Sequence, residues 1–330
     1  MKLRKKLMFL IFVASLLPIT LLGCQDSPNP PVEIGPEPQV RKTFAVVFPI
    51  EHPFFEPVGK NAEEFGAEYG WDVIIRAPES ANAKLQIQII EELIEAQVDG
   101  IAIGPTDPDA LTDVINSALD SEIKVICFET DSPNSNRMGY VGTDNYKAGR
   151  HMGFVIGKQL NGNGQILILT GLSTQMSLNE RIRGIREYLG ENHPDIAILA
   201  VQSSEGNAER AVEVLKDMIE EYPDFDALVG IDATAGPAAI STWKEYGWTG
   251  NDKLIIPFDD MPKNLQGLRD GYVKSIVSQR QQTWGMAVLL LLNSLTEGRE
   301  IPDYTDTGSI EITMYNIDSY FNEKSWVEPQ

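Results

Sequence analysis

From Thr43 onward the chain alternates short β-branched runs with longer amphipathic stretches, the pattern of a parallel sheet covered by helices. In the first half, residues 44–48, 72–76, 100–103 and 124–128 read as strands. Between them, 56–69, 83–96 and 108–119 carry apolar residues at helical spacing. In the second of these, Leu85, Ile89, Leu93 and Ala96 fall on one face, with Ile90 and Ile94 beside them and Glu91, Glu92 and Glu95 flanking. After Gly142 the alternation starts again, with strands at 165–169, 196–201, 227–230, 254–257 and 274–277 and helices at 178–189, 208–219, 235–246 and 263–268. Two similar units therefore lie in tandem in an α/β chain. A last helix, 284–295, is apolar nearly all round; it is too short for a membrane span, which needs roughly 20 residues, and is expected to be buried between layers.

The stretch before Thr43 has a different character. Lys2, Arg4, Lys5 and Lys6 precede an apolar run that begins at Leu7 and stops at Leu21-Leu22-Gly23-Cys24. A basic start, an apolar middle and a small residue before the cut read as an export signal over residues 1–23. Leu-x-Gly-Cys resembles the lipobox of bacterial lipoproteins, which implies that Cys24 is acylated and becomes the first mature residue. Two or more acyl chains hold a protein durably at a membrane. Residues 24–42 are rich in proline and form an extended tether. The formal charge is −21, and the export signal holds four of the basic residues, so the mature surface is more acidic still. Such a surface repels phosphate backbones, which argues against nucleic-acid binding. With Cys24 lipidated, Cys127 stands alone in an apolar run and is expected as a packed core thiol.

In open parallel sheets the ligand sits beyond the carboxyl ends of the strands. The residues just after the strands share a theme: Pro49-Ile50-Glu51-His52-Pro53-Phe54-Phe55, then Glu129-Thr130-Asp131, Asp232-Ala233-Thr234, Asp259-Asp260 and Ser278-Gln279. Planar hydrogen-bonding groups beside two aromatic rings suit a neutral polyol, whose hydroxyls need firm partners and whose C–H face needs apolar cover. Hydrogen bonds to a charged acceptor net about 1.5–3 kcal/mol, roughly twice neutral ones. The plainer alternatives are helix caps for the aspartates and core packing for Phe54 and Phe55.

At these positions the chain resembles the sugar-binding proteins of bacterial ABC importers, of the ribose-, allose- and galactose-binding type, over about 43–313. The likeness rests on His52-Pro53-Phe54-Phe55 after the first strand, where the family usually has Asn-Pro-Phe-Phe, and on Gln86-x-x-x-Ile90-x-x-Leu93-x-x-x-x-Val98-Asp99-Gly100-Ile101-Ala102-Ile103. It continues with Val141-Gly142-Thr143-Asp144-Asn145-Tyr146-x-Ala148-Gly149, Asn179-Glu180-Arg181-x-x-Gly184, Phe258-Asp259 and Ser278-Gln279. The resemblance implies the type 1 periplasmic binding protein fold, two Rossmann-like lobes with ligand closed between them. It implies lobes of 43–142 plus 280–306 and 143–279 plus 307–330. The three crossings that join them, near Gly142 to Asp144, Val277 to Arg280 and Asp303 to Gly308, form the hinge. It also implies that Phe54 and Phe55 stack on a monosaccharide while His52, Glu129, Asn179, Asp259 and Gln279 bond to it; Thr130, Asp131 and Asp232 complete the candidate set. Arg181 fits an architectural role beside the site. Ribose binders place an arginine after the fourth-strand acid, where Thr130 stands here, and a second one at the position of Asn179. Ile231 replaces an asparagine, and Gly206 or Asn207 an aromatic. With Glu129, Asp131, Asp232, Asp259 and Asp260 clustered and no evident arginine opposing them, an aminated sugar is an alternative ligand.

The implied partners are a monosaccharide or related polar solute, the membrane subunits of an ABC permease, and the membrane itself through the lipid anchor. The implied working form is a monomer outside the cytoplasm. A lipoprotein that presents its closed form to a histidine kinase or chemoreceptor is the second reading. An enzyme is disfavoured: His52, His151 and His193 show no metal-binding spacing, and Asn161-Gly162-Asn163-Gly164 precedes a strand, whereas a dinucleotide cradle follows one. No cofactor and no metal site is expected. A sugar-sensing repressor of the same fold would carry a basic helix-turn-helix, and none precedes Thr43.

Overall fold

A computed structural model of the protein describes residues 41–320. The export signal, Cys24, the tether as far as residue 40, and residues 321–330 lie outside the described residues.

The first half runs β1 (Thr43–Val47), α1 (Glu56–Tyr69), β2 (Asp72–Arg76), α2 (Ala83–Glu95), β3 (Gly100–Ile103), α3 (Thr112–Asp120), β4 (Lys124–Phe128) and β5 (Tyr140–Gly142). The second runs α4 (Asn145–Gln159), β6 (Asn163–Thr170), α5 (Met176–Asn192), β7 (Asp195–Ser203), α6 (Ala208–Glu221), β8 (Ala227–Gly230), α7 (Ala235–Tyr246), β9 (Leu254–Pro257), α8 (Pro262–Arg269) and β10 (Ile276–Ser278). The chain then returns to the first body as α9 (Trp284–Thr296) and β11 (Tyr304–Asp306), and ends in the second as β12 (Ile310–Ile312) and α10 (Ile317–Tyr320).

One parallel sheet has the order β11-β5-β4-β3-β1-β2; the other has β7-β6-β8-β9, with the antiparallel pair β10-β12 set beside β9. In both sheets the first strand of the unit lies between the second and the third. The strand order therefore reverses at β1 and at β6, and the crevice opens there. Each sheet is buried on both faces, as its near-continuous apolar strands require. Along β1, Phe44 and Val46 face the cluster with Val288 and Leu292 of α9, while Ala45 and Val47 face that with Ile90 of α2 and Ile115 of α3. Along β6, Leu167 and Leu169 face Leu215 and Trp243, while Ile166 and Ile168 face Met152 and Ile185. Cys127 is fully buried in the first sheet, and desolvation pushes its thiol pKa up.

Helix α2 buries a different stripe from the expected one. Gln86, Ile90 and Leu93 face inward, while Leu85 and Ala96 are exposed. The cause is Gln86, whose Nε2 donates to the carbonyls of Phe48 (3.0 Å) and Gly104 (2.8 Å) and whose Oε1 accepts from the Thr106 N–H (2.9 Å). These bonds satisfy backbone groups beyond the ends of β1 and β3, which a leucine there would leave unpaired. Helix α9 packs on α1, β3 and β4, with Val288, Leu289 and Leu292 fully buried. Among the described residues no helix is long and apolar enough to cross a membrane.

Candidate functional site

The carboxyl ends of the two sheets face one cavity. The first body lines it with Pro49, Ile50, His52, Phe54, Phe55 and Glu129. The second contributes Gly171, Leu172, Gln175, Leu178, Arg181, Gly206, Asp232, Ala233, Thr234, Asp259 and Gln279.

His52 sits before a short 3-10 turn, Pro53–Phe55, and its Nδ1 accepts the Phe54 N–H at 3.1 Å. A neutral ring that accepts at Nδ1 carries its proton on Nε2, so His52 offers a donor. Burial lowers its pKa, against the opposing influence of Asp232 and Glu56. The turn anchors both aromatics. Phe55 stacks on Phe48 with centroids 4.8 Å apart, and Phe54 meets Phe55 edge-on at 5.0 Å and Trp284 at 6.2 Å. The rings are thus both core and cavity wall: each is buried in the cluster under β1 and each lines the cavity.

Glu129 and Asp259 occupy matching positions in the two units. Each follows a buried phenylalanine at a strand end, Phe128 and Phe258, and each has a left-handed backbone, φ 63° and 68°. A non-glycine residue in that region is strained, and such strain concentrates where side chains are aimed for a purpose. The Glu129 N–H donates to the Val141 carbonyl at 3.3 Å and the Asp259 N–H to that of Val277 at 2.8 Å, which secures both. Burial pushes the Glu129 carboxyl up in pKa, against Arg181 and three hydrogen-bonding side chains. It pushes Asp259 up to about 7, against Arg181 and Gln279, with Asp260 and Asp232 adding to the rise. Asp259 Oδ1 accepts from Gln279 Nε2 at 2.9 Å. Asp232 is a cap as well as a lining residue, accepting from the Thr234 and Ala235 N–H groups (3.2 and 3.3 Å) at the start of α7.

Arg181 lies among these acids, which corrects the expectation that no arginine opposes them. Its Nε donates to Asn145 Oδ1 (2.9 Å), its Nη1 to the Ile231 carbonyl (3.0 Å), and its guanidinium carbon sits 4.0 Å from the centroid of the Phe258 ring. Among the described residues Nη2 is buried and without a partner, as is Gln279 Oε1. Both residues line the cavity, so one donor and one acceptor are left unfilled in its walls.

Three candidates stand outside the cavity lining. Asn179 is exposed, its Nδ2 bonded to the Ser173 carbonyl at 3.0 Å. Helical geometry explains this: Leu178 and Arg181, three apart on α5, share the face that lines the cavity, two residues from Arg181 is about 200° of rotation, and Gln175 reaches the cavity from the extended N-cap position before the helix. Asp131 is drawn away by Arg137, whose Nε and Nη2 bond both its oxygens at 2.6 and 2.8 Å. Thr130 lies behind Glu129, bonded to Ser177 Oγ at 2.7 Å. Asp260 is held by the Tyr320 hydroxyl at 2.7 Å and also bonds Gln281. Gln175, Leu172 and Leu178 were not foreseen; they lie beyond β6, at the strand reversal, where the same rule that found the loop after β1 applies. Among the described residues no group of three or more His, Cys, Asp or Glu side chains could hold a metal ion.

The sequence profile of the periplasmic binding protein domain matches residues 44–300, more than half of the chain. The chain belongs to the periplasmic binding protein family. A D-ribose/D-allose-binding protein of Pseudomonas aeruginosa is 24% identical over 286 residues, 83% of this chain and 88% of that one. Among solved structures, an ABC transporter solute binding protein from Burkholderia graminis, in complex with D-arabinose, is 34% identical with a TM-score of 0.80, covering 84% of this chain and 97% of that one. A glucose-galactose binding protein from Geobacillus stearothermophilus is 26% identical with a TM-score of 0.79, covering 84% and 99%. Family membership carries the two-lobed α/β fold with parallel sheets, as the sequence resemblance implied.

Proposed function

We propose that this protein is an extracytoplasmic solute-binding lipoprotein that captures a monosaccharide between its two lobes and delivers it to an ABC permease. The observation that carries this reading is one cavity with an aromatic wall and a buried carboxylate from one lobe and a buried carboxylate, a guanidinium and an amide from the other. In this reading Phe54 and Phe55 cover a C–H face of the sugar, and Asp232, Asp259 and Gln279 Oε1 accept from its hydroxyls. His52 Nε2–H and Arg181 Nη2 donate to its oxygens. A hydroxyl both donates and accepts, so a neutral polyol meets both kinds of group. Arg181 among the carboxylates favours that neutral sugar over an aminated one.

The names of the relatives support the class: they are described as binding ribose, allose, arabinose, glucose or galactose, and as binding proteins, not as enzymes. Lobe limits at 43–142 plus 280–306 and 143–279 plus 307–330 place the hinge at three crossings. These are Gly142 to Asp144, Val277 to Arg280 and Asp303 to Gly308, about which the lobes close on the ligand. Both walls come from one chain, so one copy suffices. The anchor is Cys24, on the strength of Leu21-Leu22-Gly23-Cys24.

A thermal-shift screen against pentoses, hexoses and polyols tests the reading. At a thousand times its dissociation constant a ligand adds about 4 kcal/mol of stability, so at least one sugar is expected to raise Tm by several degrees. Flat melting curves with every sugar would refute it.

A further inference from the structure

Four side chains beside the cavity form a closed hydrogen-bonded ring across the lobes. Gln175 Nε2 donates to Glu129 Oε2 at 2.8 Å and to Thr130 Oγ1 at 3.1 Å. Thr130 Oγ1 donates to Ser177 Oγ at 2.7 Å, and Ser177 Oγ donates to Glu129 Oε1 at 3.1 Å. Glu129 and Thr130 follow β4 in the first lobe; Gln175 and Ser177 open α5 in the second. All four residues are buried. Each hydroxyl spends its one hydrogen, Gln175 spends both amide hydrogens, and the ring ends on a carboxylate that only accepts. Gln175 stands at the N-cap of α5 yet makes no side-chain cap bond, so its amide is committed to the other lobe. A fifth contact lies beside the ring, Thr174 Oγ1 to the Thr106 carbonyl at 3.3 Å.

We propose that this ring is a latch: Gln175 and Ser177 are positioning residues that take up the Glu129 carboxylate from across the cleft and hold the lobes together without a ligand. Glu129 then spends its acceptors on closure, and hydroxyls of a bound solute are met chiefly by Asp232, Asp259 and Gln279. A pre-closed cleft also pays less of the cost of closing when the solute arrives. The latch stands independently of which solute binds.

The test is small-angle X-ray scattering of the ligand-free full-length chain. Each bond to the Glu129 carboxylate that is lost should shift the closed-to-open ratio by about tenfold, as hydrogen bonds to a charged group typically do. Gln175→Ala/Ser177→Ala should therefore show a larger radius of gyration than wild type, while Asp259→Ala, which removes no bond between the lobes, should not. Ser177→Ala alone, a change that a helix tolerates, should move the radius in the same direction by less, and it carries the test if the double variant does not fold. A merely structural role would lower Tm and leave the radius unchanged. That result, or a double variant as compact as wild type, would overturn the proposal, and neither outcome depends on the sugar reading.

Discussion

Asp259 is a carboxylate held almost entirely out of water, with Gln279 on one oxygen and two further acids nearby. Its folded pKa of about 7 lies above the ordinary aspartate value of 3.8, so the folded chain binds the extra proton between those limits. Stability from this group is therefore greatest below about pH 4 and is lost as pH rises through about 7. Asp259→Asn should flatten the dependence of Tm on pH across that window and raise Tm near pH 8, by roughly 2–4 °C for each kcal/mol recovered. A pH profile parallel to wild type would count against the burial argument. Phe55→Ala removes a ring that packs on Phe48 and walls the cavity. It should cost about 3–5 kcal/mol in chemical denaturation and weaken binding of whichever sugar passes the thermal screen. Most of the cavity lining was legible from one rule, that ligands sit beyond strand ends, which located His52, Phe54, Phe55, Glu129, Asp232, Asp259 and Gln279. What the rule could not supply was helix rotation. The family resemblance placed Asn179 toward the cavity and Arg181 beside it, and the facing of a residue on α5 depends on which side packs against α4.

Helices α4 and α5 meet through a stripe of glycines, Gly149, Gly153 and Gly157. A Cβ at Gly149 would lie 2.1 Å from the Arg181 carbonyl oxygen, and one at Gly153 2.8 Å from Tyr188 Cβ. This close approach sets the depth of α5, and with it the reach of Arg181 to Asn145. Gly149→Ala should push α5 outward, cost about 1–3 kcal/mol, and weaken ligand binding along with stability. Denaturation and calorimetry on the same variant would check both effects, and an unaltered midpoint would contradict the packing argument. The stripe also explains why α4 carries no strong apolar period: half of its eight buried positions are glycine or alanine. Strands β5, β11 and β12, three residues each, are too short to show a period at all. Runs such as β3, β4 and β9 matched the expected spans because their β-branched content fills the buried interior of a sheet.

The two lobes repeat one plan. Each core sheet has its first strand flanked by the second and the third, and in each a buried phenylalanine at or just past a strand end is followed by a strained acid. Closing two such lobes face to face puts both acids and both strand reversals into one cavity, which neither lobe encloses alone. The central claim is that a sugar binds there, gripped from both sides. Calorimetric titration with D-ribose, D-arabinose, D-xylose, D-glucose and D-galactose tests it most directly, on wild type, Phe54→Ala in one lobe and Asp259→Ala in the other. Saturable one-site binding of at least one sugar is predicted, and Asp259→Ala should weaken it up to about a hundredfold by leaving a hydroxyl of the ligand unpaired. Phe54→Ala should weaken it as well. Absence of heat with every sugar, or a dissociation constant unmoved by variants in both lobes, would contradict the account.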